Sequence, residues 1–163
     1  MAPAWARPSQ AEGCGQRARR RAAALIVYFD TSALIKTLVE EDGSELADEL
    51  WLRASSRLAS RLVYPEARAA LAAAERAGRI DAPSRRTAVK GLEGACSAMR
   101  LIGLDWELAV SAGELAERYA LRGYDAVHLA TALAAQSPDL LLATWDLDLA
   151  RAAVSAGQAV VPS

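Results

Sequence analysis

Four acidic residues of the chain stand where carboxylates can act on a common ligand. They are Asp30, Glu66, Asp125 and Asp146. Asp30 ends the apolar segment Leu25–Phe29, and Asp146 follows the apolar segment Leu140–Ala143 after two intervening residues. Glu66 and Asp125 fall in the first turns of predicted helices. Because the carboxyl ends of parallel strands and the N-termini of the following helices share one edge of an α/β sheet, we expect the four acids to converge.

Converging carboxylates repel one another, and the repulsion indicates what such a site would need. Two carboxylates about 4 Å apart repel by about 4 kcal/mol at an effective dielectric constant of about 20. A divalent cation removes this repulsion, and oxygen ligands with no nearby thiolate favour Mg²⁺, or Mn²⁺, over zinc. Such an ion lowers the pKa of a bound water and stabilises charge on phosphorus. The pattern therefore predicts metal-dependent hydrolysis of phosphodiester bonds.

Helix capping is the competing interpretation of each acid taken alone. Aspartate is a preferred helix cap, and an acid in a first helical turn gains about 0.3 to 1 kcal/mol from the helix dipole. Asp105, between a strand-like and a helix-like segment, shows how readily the pattern arises by itself. Capping does not explain the apolar surroundings of Asp30 and Asp125. Neither has a lysine or arginine beside it in the sequence, so each charge needs some other partner.

Neighbouring polar residues are candidates for supporting roles: Ser32, Thr144, Asp148 and His128. Ser32 and Thr144 are predicted to hydrogen-bond the acids or the waters of the metal, with helix capping as the alternative. Asp148 is a candidate outer acid, although a solvated charge at a helix start is the favoured interpretation. His128 is favoured as a hydrogen-bonded core residue over a general base, because apolar residues flank it.

Strand-like and helix-like segments alternate from residue 25 onwards, which predicts a parallel α/β sheet with helices on both faces. The predicted strands are Leu25–Phe29, Arg57–Ser60, Leu101–Leu104, Leu140–Ala143 and Ala159–Val161. The predicted helices are Thr31–Glu40, Ser44–Ala54, Pro65–Gly78, Pro83–Met99, Glu107–Tyr119, Asp125–Ala135 and Leu147–Ala156. Continuous apolar strands such as the first are typical of a sheet that is buried on both faces.

Composition and charge narrow the class of protein. A chain of 163 residues predicts one domain, and no segment approaches the roughly 18 to 20 apolar residues that span a bilayer. Residues 1–25 carry five arginines against Glu12 and show no apolar period, so we expect a leader without a fold, or a start annotated too early. The rest of the chain has a negative net charge and lacks the excess of basic residues that is typical of a general nucleic-acid binder. Two cysteines do not make a disulfide framework, and a reducing cytoplasm is expected.

The acids lie in four segments, Asp30–Lys36, Tyr64–Arg68, Tyr124–Ala132 and Thr144–Asp146. Together these segments resemble the signature of PIN-domain ribonucleases, and more narrowly that of the VapC toxins of bacterial toxin–antitoxin pairs. The resemblance covers nearly all of residues 26–163 and implies a PIN domain there: a central parallel sheet of four to five strands flanked by helices, with a helical clip. It also implies an Mg²⁺-dependent endoribonuclease that acts on RNA, forms homodimers and is neutralised by a VapB-type antitoxin. The family's acidic quartet corresponds to Asp30, Glu66, Asp125 and Asp146.

Two other functional classes stay open at this stage. A haloacid dehalogenase-type phosphatase also places an aspartate after its first strand. In that class the second residue after the aspartate should be an acid, whereas the second residue after Asp30 is Ser32. A catalytically idle PIN module that only binds a partner is the other alternative. For an antitoxin, we expect a groove on the helices between Ser44 and Gly78, with Trp51 and Leu52 as anchors. Trp51 and Trp106 are otherwise expected to be packing residues.

Overall fold

A computed structural model describes residues 25–135 and 137–162, so the segment predicted to be a leader lies outside the described residues except for Leu25. The strands are β1 (Ile26–Phe29), β2 (Ser56–Ser60), β3 (Arg100–Ile102), β4 (Leu140–Ala143) and β5 (Ala159–Val161). The helices are α1 (Thr31–Lys36), α2 (Ser44–Arg53), α3 (Val63–Arg76), α4 (Ala82–Ala98), α5 (Trp106–Tyr119), α6 (Gly123–Ala134) and α7 (Leu147–Ser155). The predicted α/β class is confirmed.

The five strands form one parallel sheet in the order β3-β2-β1-β4-β5. Strand β1 lies at the centre of the sheet. Strands β2 and β3 follow on one side of it, and the chain then crosses to the other side, where β4 and β5 lie. The strand order therefore reverses between β1 and β4, which pair from Ile26 with Leu140 to Phe29 with Ala143. In open parallel sheets such a switch point leaves a crevice at the carboxyl ends of the strands, where ligands bind.

Side chains of β1 alternate between two cores, one on each face of the sheet. Tyr28 packs on the side covered by α5, α6 and α7, whereas Val27 and Phe29 pack on the side covered by α1 to α4. All three side chains are fully buried. This double coverage explains why the strand is a continuous apolar run and not an alternating one. Helices α3 and α4, which lie between β2 and β3 in the chain, pack against each other.

Helix α1 ends four residues earlier than predicted, at Lys36. The backbone there tightens, because the Thr37 and Leu38 amides bond the carbonyl oxygens three residues back. The Thr37 hydroxyl also donates to the Leu34 carbonyl oxygen at 2.8 Å and so competes with the helical amide for that acceptor. Helix α3, in contrast, begins two residues before the predicted Pro65, at Val63.

Candidate functional site

A cleft of about 470 Å³ lies at the carboxyl edge of the central strands, and all four predicted acids line it. Asp30 follows β1 and Asp146 follows β4, while Glu66 and Asp125 lie in the first turns of α3 and α6. The structure thus brings together four side chains that are separated by up to 116 residues in the sequence. Their catalytic role remains a prediction, which the placement supports.

Asp30 is the most buried of the four acids, with 4 % of its surface exposed. Its Oδ1 caps α1 by accepting the Ala33 N–H at 2.8 Å, and its Oδ2 accepts the Thr144 hydroxyl at 2.7 Å. The Ser32 hydroxyl lies within 2.9 Å of both carboxylate oxygens. Burial raises the pKa of Asp30 above its ordinary value, although the nearby His128 and these hydrogen bonds oppose that rise. Asp30 is therefore a buried carboxyl group that an added positive charge would stabilise in its ionised form.

Ser32 and Thr144 are held so that their hydroxyl hydrogens point towards Asp30. The Ser32 oxygen accepts the Trp145 N–H at 2.8 Å, and the Thr144 oxygen accepts the Asp146 N–H at 3.1 Å. Each backbone amide occupies an acceptor position of its hydroxyl group, which leaves the hydroxyl hydrogen to be donated to the carboxylate. The loop after β4 and the start of α1 are joined through these bonds, as expected for supporting residues.

Glu66 is bound through one of its two carboxylate oxygens. Its Oε2 accepts the Thr31 hydroxyl at 2.6 Å and lies 2.7 Å from His128 Nε2. Partial burial by itself raises the pKa of Glu66, but the hydrogen bonds with His128 and Thr31 outweigh burial, so its pKa lies below the ordinary value. The carboxylate is consequently stabilised in its charged form.

Asp125 and Asp146 share a cationic partner, Arg122, which corrects the expectation that Asp125 lacks one. Arg122 Nε donates to Asp125 Oδ2 at 2.8 Å, and its terminal nitrogen donates to Asp146 Oδ2 at 2.9 Å. The hydrogen bond with Asp125 is the main reason why the pKa of Arg122 is raised. Asp146 additionally caps α7 through Oδ1, which accepts the Asp148 and Leu149 amides. Arg122 stands three residues before Asp125, and this helical spacing was the signal in the sequence that should have identified it.

The donor set of the cleft fits a hard divalent cation in its chemistry, since its lining offers the four predicted carboxylates, with Glu41 as a fifth acid, and no thiolate. The carboxylates do not yet converge on one point. Within residues 25–135 and 137–162, no three acidic, histidine or cysteine side chains are arranged to hold one ion. Arg122 spans the gap between Asp125 and Asp146, so cation binding there requires these side chains to exchange a guanidinium partner for the ion.

Asp148 lies outside the cleft, and its proposed place as an outer acid is not supported by its contacts. Its side chain is exposed and pairs with Arg151, one turn along α7.

Trp145, which no functional expectation included, does line the cleft and packs against Gly43. A Cβ atom at Gly43, whose φ is +92°, would lie 2.5 Å from Trp145 Nε1, so only glycine permits this contact.

Of the two tryptophans that were expected to pack, Trp51 is packed within the chain and Trp106 is exposed. Trp51 packs edge-on against Phe29, with ring centroids 5.4 Å apart, and Arg57 lies over its ring, so the expected packing role is confirmed. Trp106 is 81 % exposed, and the expectation that it packs is wrong. It opens α5 directly after the cap Asp105. Leu52 is 78 % exposed and remains available to a partner, whereas Trp51 is already engaged within the chain.

The parallel sheet and its acidic switch-point cleft define an α/β protein whose ligand site lies at the carboxyl edge of the sheet. The family description "PIN domain" matches residues 27–155. Over 138 residues the chain is 46 % identical to ribonuclease VapC45 of Mycobacterium tuberculosis, covering 85 % of this chain and 96 % of that protein. The chain therefore belongs to the PIN-domain family, as a ribonuclease of the VapC type.

Solved structures agree with this assignment at the level of the fold. VapC20 of Mycobacterium tuberculosis, a toxin that cleaves the sarcin–ricin loop, superposes with a TM-score of 0.61 at 17 % identity, covering 77 % of this chain and 94 % of that one. VapBC2 of Rickettsia felis, bound to a DNA fragment from its promoter, superposes with a TM-score of 0.57 at 16 % identity, covering 83 % of this chain and 96 % of that one.

Among the helices of the described residues, none has the length and apolar character needed to cross a membrane.

Proposed function

We propose that this chain is an Mg²⁺-dependent endoribonuclease and the toxin of a toxin–antitoxin pair, with Mn²⁺ able to replace Mg²⁺. The observation that carries the proposal is that Asp30, Glu66, Asp125 and Asp146 all line one cleft at the switch point of the sheet. The close relationship to VapC45, named a ribonuclease, supports RNA as the substrate class. A cytoplasmic location follows from such a substrate and belongs to the same proposal.

In this proposal, the acidic residues of the cleft bind the ion and its basic residues bind RNA. Asp30, Glu66, Asp125 and Asp146 would hold the divalent cation, which when bound lowers the pKa of the attacking water and stabilises charge on phosphorus. Ser32 and Thr144 keep the buried Asp30 carboxylate oriented towards the cleft. Lys36 and Arg79 also line the cleft and offer positive charge to phosphate oxygens beside the acids. Arg122 leaves its two carboxylates when the cation binds.

The partner of this toxin is, in our proposal, a VapB-type antitoxin, and the toxin itself is a homodimer. The fold similarity to VapBC2, a toxin–antitoxin complex, supports a partner of this type. Exposed Leu52 on α2 marks the helical surface that we expect an amphipathic antitoxin helix to cover.

The substitution Asp125→Asn tests the catalytic proposal. Asparagine keeps the size of the side chain but removes the charge that the cation requires, so RNA cleavage should fall by about 100-fold or more. Cleavage of a fluorescent RNA is measured in Mg²⁺ and in EDTA, with thermal unfolding as the check on folding. Asp148→Asn is the matched control, because Asp148 is an acid near the same cleft whose side chain pairs with Arg151 outside it.

The outcomes separate the alternatives. Cleavage that needs Mg²⁺, is lost in Asp125→Asn and survives in Asp148→Asn supports the proposal. Full activity of Asp125→Asn would end the proposed mechanism. An intact, folded wild-type protein that cuts no RNA with or without Mg²⁺ would favour the idle binding module. Phosphorylation of Asp30 by a phosphate ester would favour the phosphatase.

A further inference from the structure

The single histidine of the chain connects the interior of the sheet to the cleft. His128 lies on α6 and is 2 % exposed, and both of its ring nitrogens have partners. Nδ1 lies 2.9 Å from the Tyr28 hydroxyl, and Nε2 lies 2.7 Å from Glu66 Oε2. Tyr28 is fully buried on β1, so a continuous chain of polar contacts runs from the central strand to Glu66.

The hydrogen bonds of Tyr28 favour one of the two neutral forms of the His128 ring. The Ser60 amide at the end of β2 donates to the Tyr28 oxygen at 3.0 Å. Burial raises the pKa of Tyr28 far above its ordinary value, so the hydroxyl keeps its hydrogen. The hydroxyl has two side-chain partners for that one hydrogen, His128 Nδ1 at 2.9 Å and Thr131. If the hydrogen is donated to Nδ1, the ring nitrogen that carries a hydrogen is Nε2, which faces Glu66.

The donated hydrogen selects one oxygen of Glu66. The bonds from His128 and from Thr31 both end on Oε2, which fixes the carboxylate from the protein side. Among the contacts of the described residues, Oε1 is the oxygen left available to a ligand in the cleft. An arrangement of this kind orients a carboxylate before any ion arrives, and loss of such support typically lowers metal affinity by about 10- to 100-fold.

We propose that His128 is a positioning residue that holds Glu66 for the divalent cation, with Tyr28 fixing the histidine as its Nε2–H tautomer. The inference rests on the proposed function, because it takes Glu66 to be a metal ligand. It assigns His128 no proton transfer to the substrate, since both ring nitrogens are already engaged, one with Tyr28 and the other with Glu66.

The tautomer is tested first, in EDTA and without any substrate. Because the chain has one histidine, ¹⁵N-labelled protein gives a single imidazole pair in long-range proton–nitrogen spectra. At neutral pH we expect the Nε2–H tautomer in the wild type and a mixture of forms in Tyr28→Phe. An Nδ1–H tautomer, or an imidazolium, in the wild type would overturn the proposed orientation. An unchanged spectrum in Tyr28→Phe would overturn the role of Tyr28.

Metal binding is tested with two substitutions of His128. His128→Gln keeps an acceptor for Tyr28 and a donor for Glu66, whereas His128→Leu removes both and keeps a comparable volume. Mn²⁺ titration by calorimetry should show affinity near that of the wild type for His128→Gln. For His128→Leu it should be weakened by about 10- to 100-fold. Cleavage by His128→Leu should recover substantially at high Mg²⁺, because the defect is in the binding of the ion.

Leu129→Val is the control for general loss of packing. Leu129 is the next residue of α6, is fully buried and does not line the cleft. Equal Mn²⁺ affinity in His128→Leu and the wild type, or equal weakening in His128→Leu and Leu129→Val, would overturn the positioning role. These results remain distinct from failure of the proposed function, in which the wild type itself shows no metal-dependent cleavage.

Discussion

Asp30 and Asp146 each cap a helix and also line the cleft, two roles that the sequence analysis treated as alternatives. Each accepts backbone amides at a helix start through Oδ1, and each lines the acidic cleft. Capping and site formation are compatible, because a carboxylate has two oxygens and several lone pairs. An aspartate that follows a parallel strand can thus be fixed by the helix it caps and still present charge to a ligand. Asp105 caps α5 in the same way but lies away from the quartet.

At the residue scale, Arg122 is predicted to compete with the cation. Its guanidinium bonds both Asp125 and Asp146 but is 72 % exposed, so little burial holds it in place. Arg122→Ala should lower the Mg²⁺ concentration that gives half-maximal cleavage by severalfold, with little change in thermal stability. The measurement is an Mg²⁺ titration of the cleavage rate at saturating RNA.

Arg151→Ala provides the comparison for Arg122→Ala, because Arg151 pairs with the exposed Asp148 outside the cleft. It should leave the Mg²⁺ dependence unchanged. If Arg122→Ala needs as much Mg²⁺ as the wild type, or more, the guanidinium does not oppose the ion and instead supports the site.

At the element scale, the order and type of the strands and helices were predictable, whereas the pairing of side chains was not. Apolar runs identified β1 and β4 because double burial leaves no polar face on a central strand. The end of α1 was missed because the Thr37 hydroxyl takes a helical acceptor, a choice made by side-chain geometry. Tyr28 and His128 are one hundred residues apart, so no local pattern connects them. The gathering of the acids followed from topology, but the bridge formed by Arg122 needed atomic positions.

Helix α4 offers a prediction at this scale, because its start depends on one exposed carboxylate. Asp81 accepts the Ser84 N–H at 2.8 Å, and hydrogen bonds with Ser84 lower its pKa below the ordinary 3.8. A lowered pKa in the folded state adds stability above the ordinary pKa, and this stability is lost as the pH falls through the folded value. Asp81→Ala should therefore reduce the unfolding temperature at neutral pH, and the difference from the wild type should shrink in acid.

Asp81→Asn separates the cap from the charge. Asparagine caps helices about as well as aspartate but does not titrate, so it should retain most of the stability at neutral pH. Thermal unfolding of the three proteins across acidic and neutral pH checks both statements. A difference between Asp81→Ala and the wild type that does not change with pH would show that the carboxylate charge is irrelevant to the cap.

At the scale of the whole molecule, we expect an antitoxin to silence the protein at the cleft. Arg122 already shows that a guanidinium fits between Asp125 and Asp146. We expect a basic residue from the antitoxin to take the place of the cation, while an apolar helix supplies most of the affinity, because exposed charge pairs contribute little. Inhibition and binding are then carried by different parts of the antitoxin.

Truncation of the basic tail of the antitoxin tests this division. The shortened antitoxin should still bind but should inhibit RNA cleavage less, and added Mg²⁺ should partly restore cleavage in the intact complex. Binding is followed by calorimetry and cleavage by the fluorescent RNA. If neither truncation nor Mg²⁺ changes inhibition, the antitoxin blocks RNA at another surface and competition with the cation is excluded.

The sheet order also determines when, during synthesis of the chain, the cleft can be completed. The central strand β1 is made first, but its neighbour β4 begins only at Leu140, and Thr144 and Asp146 follow. Until those residues leave the ribosome, Asp30 lacks the Thr144 hydroxyl and the cleft lacks Asp146, one of the four predicted acids. If the four acids form the metal site as we propose, a nascent chain lacks a complete site until translation is almost complete. We expect an antitoxin already present in the cell to have that interval in which to meet the chain before its site is assembled.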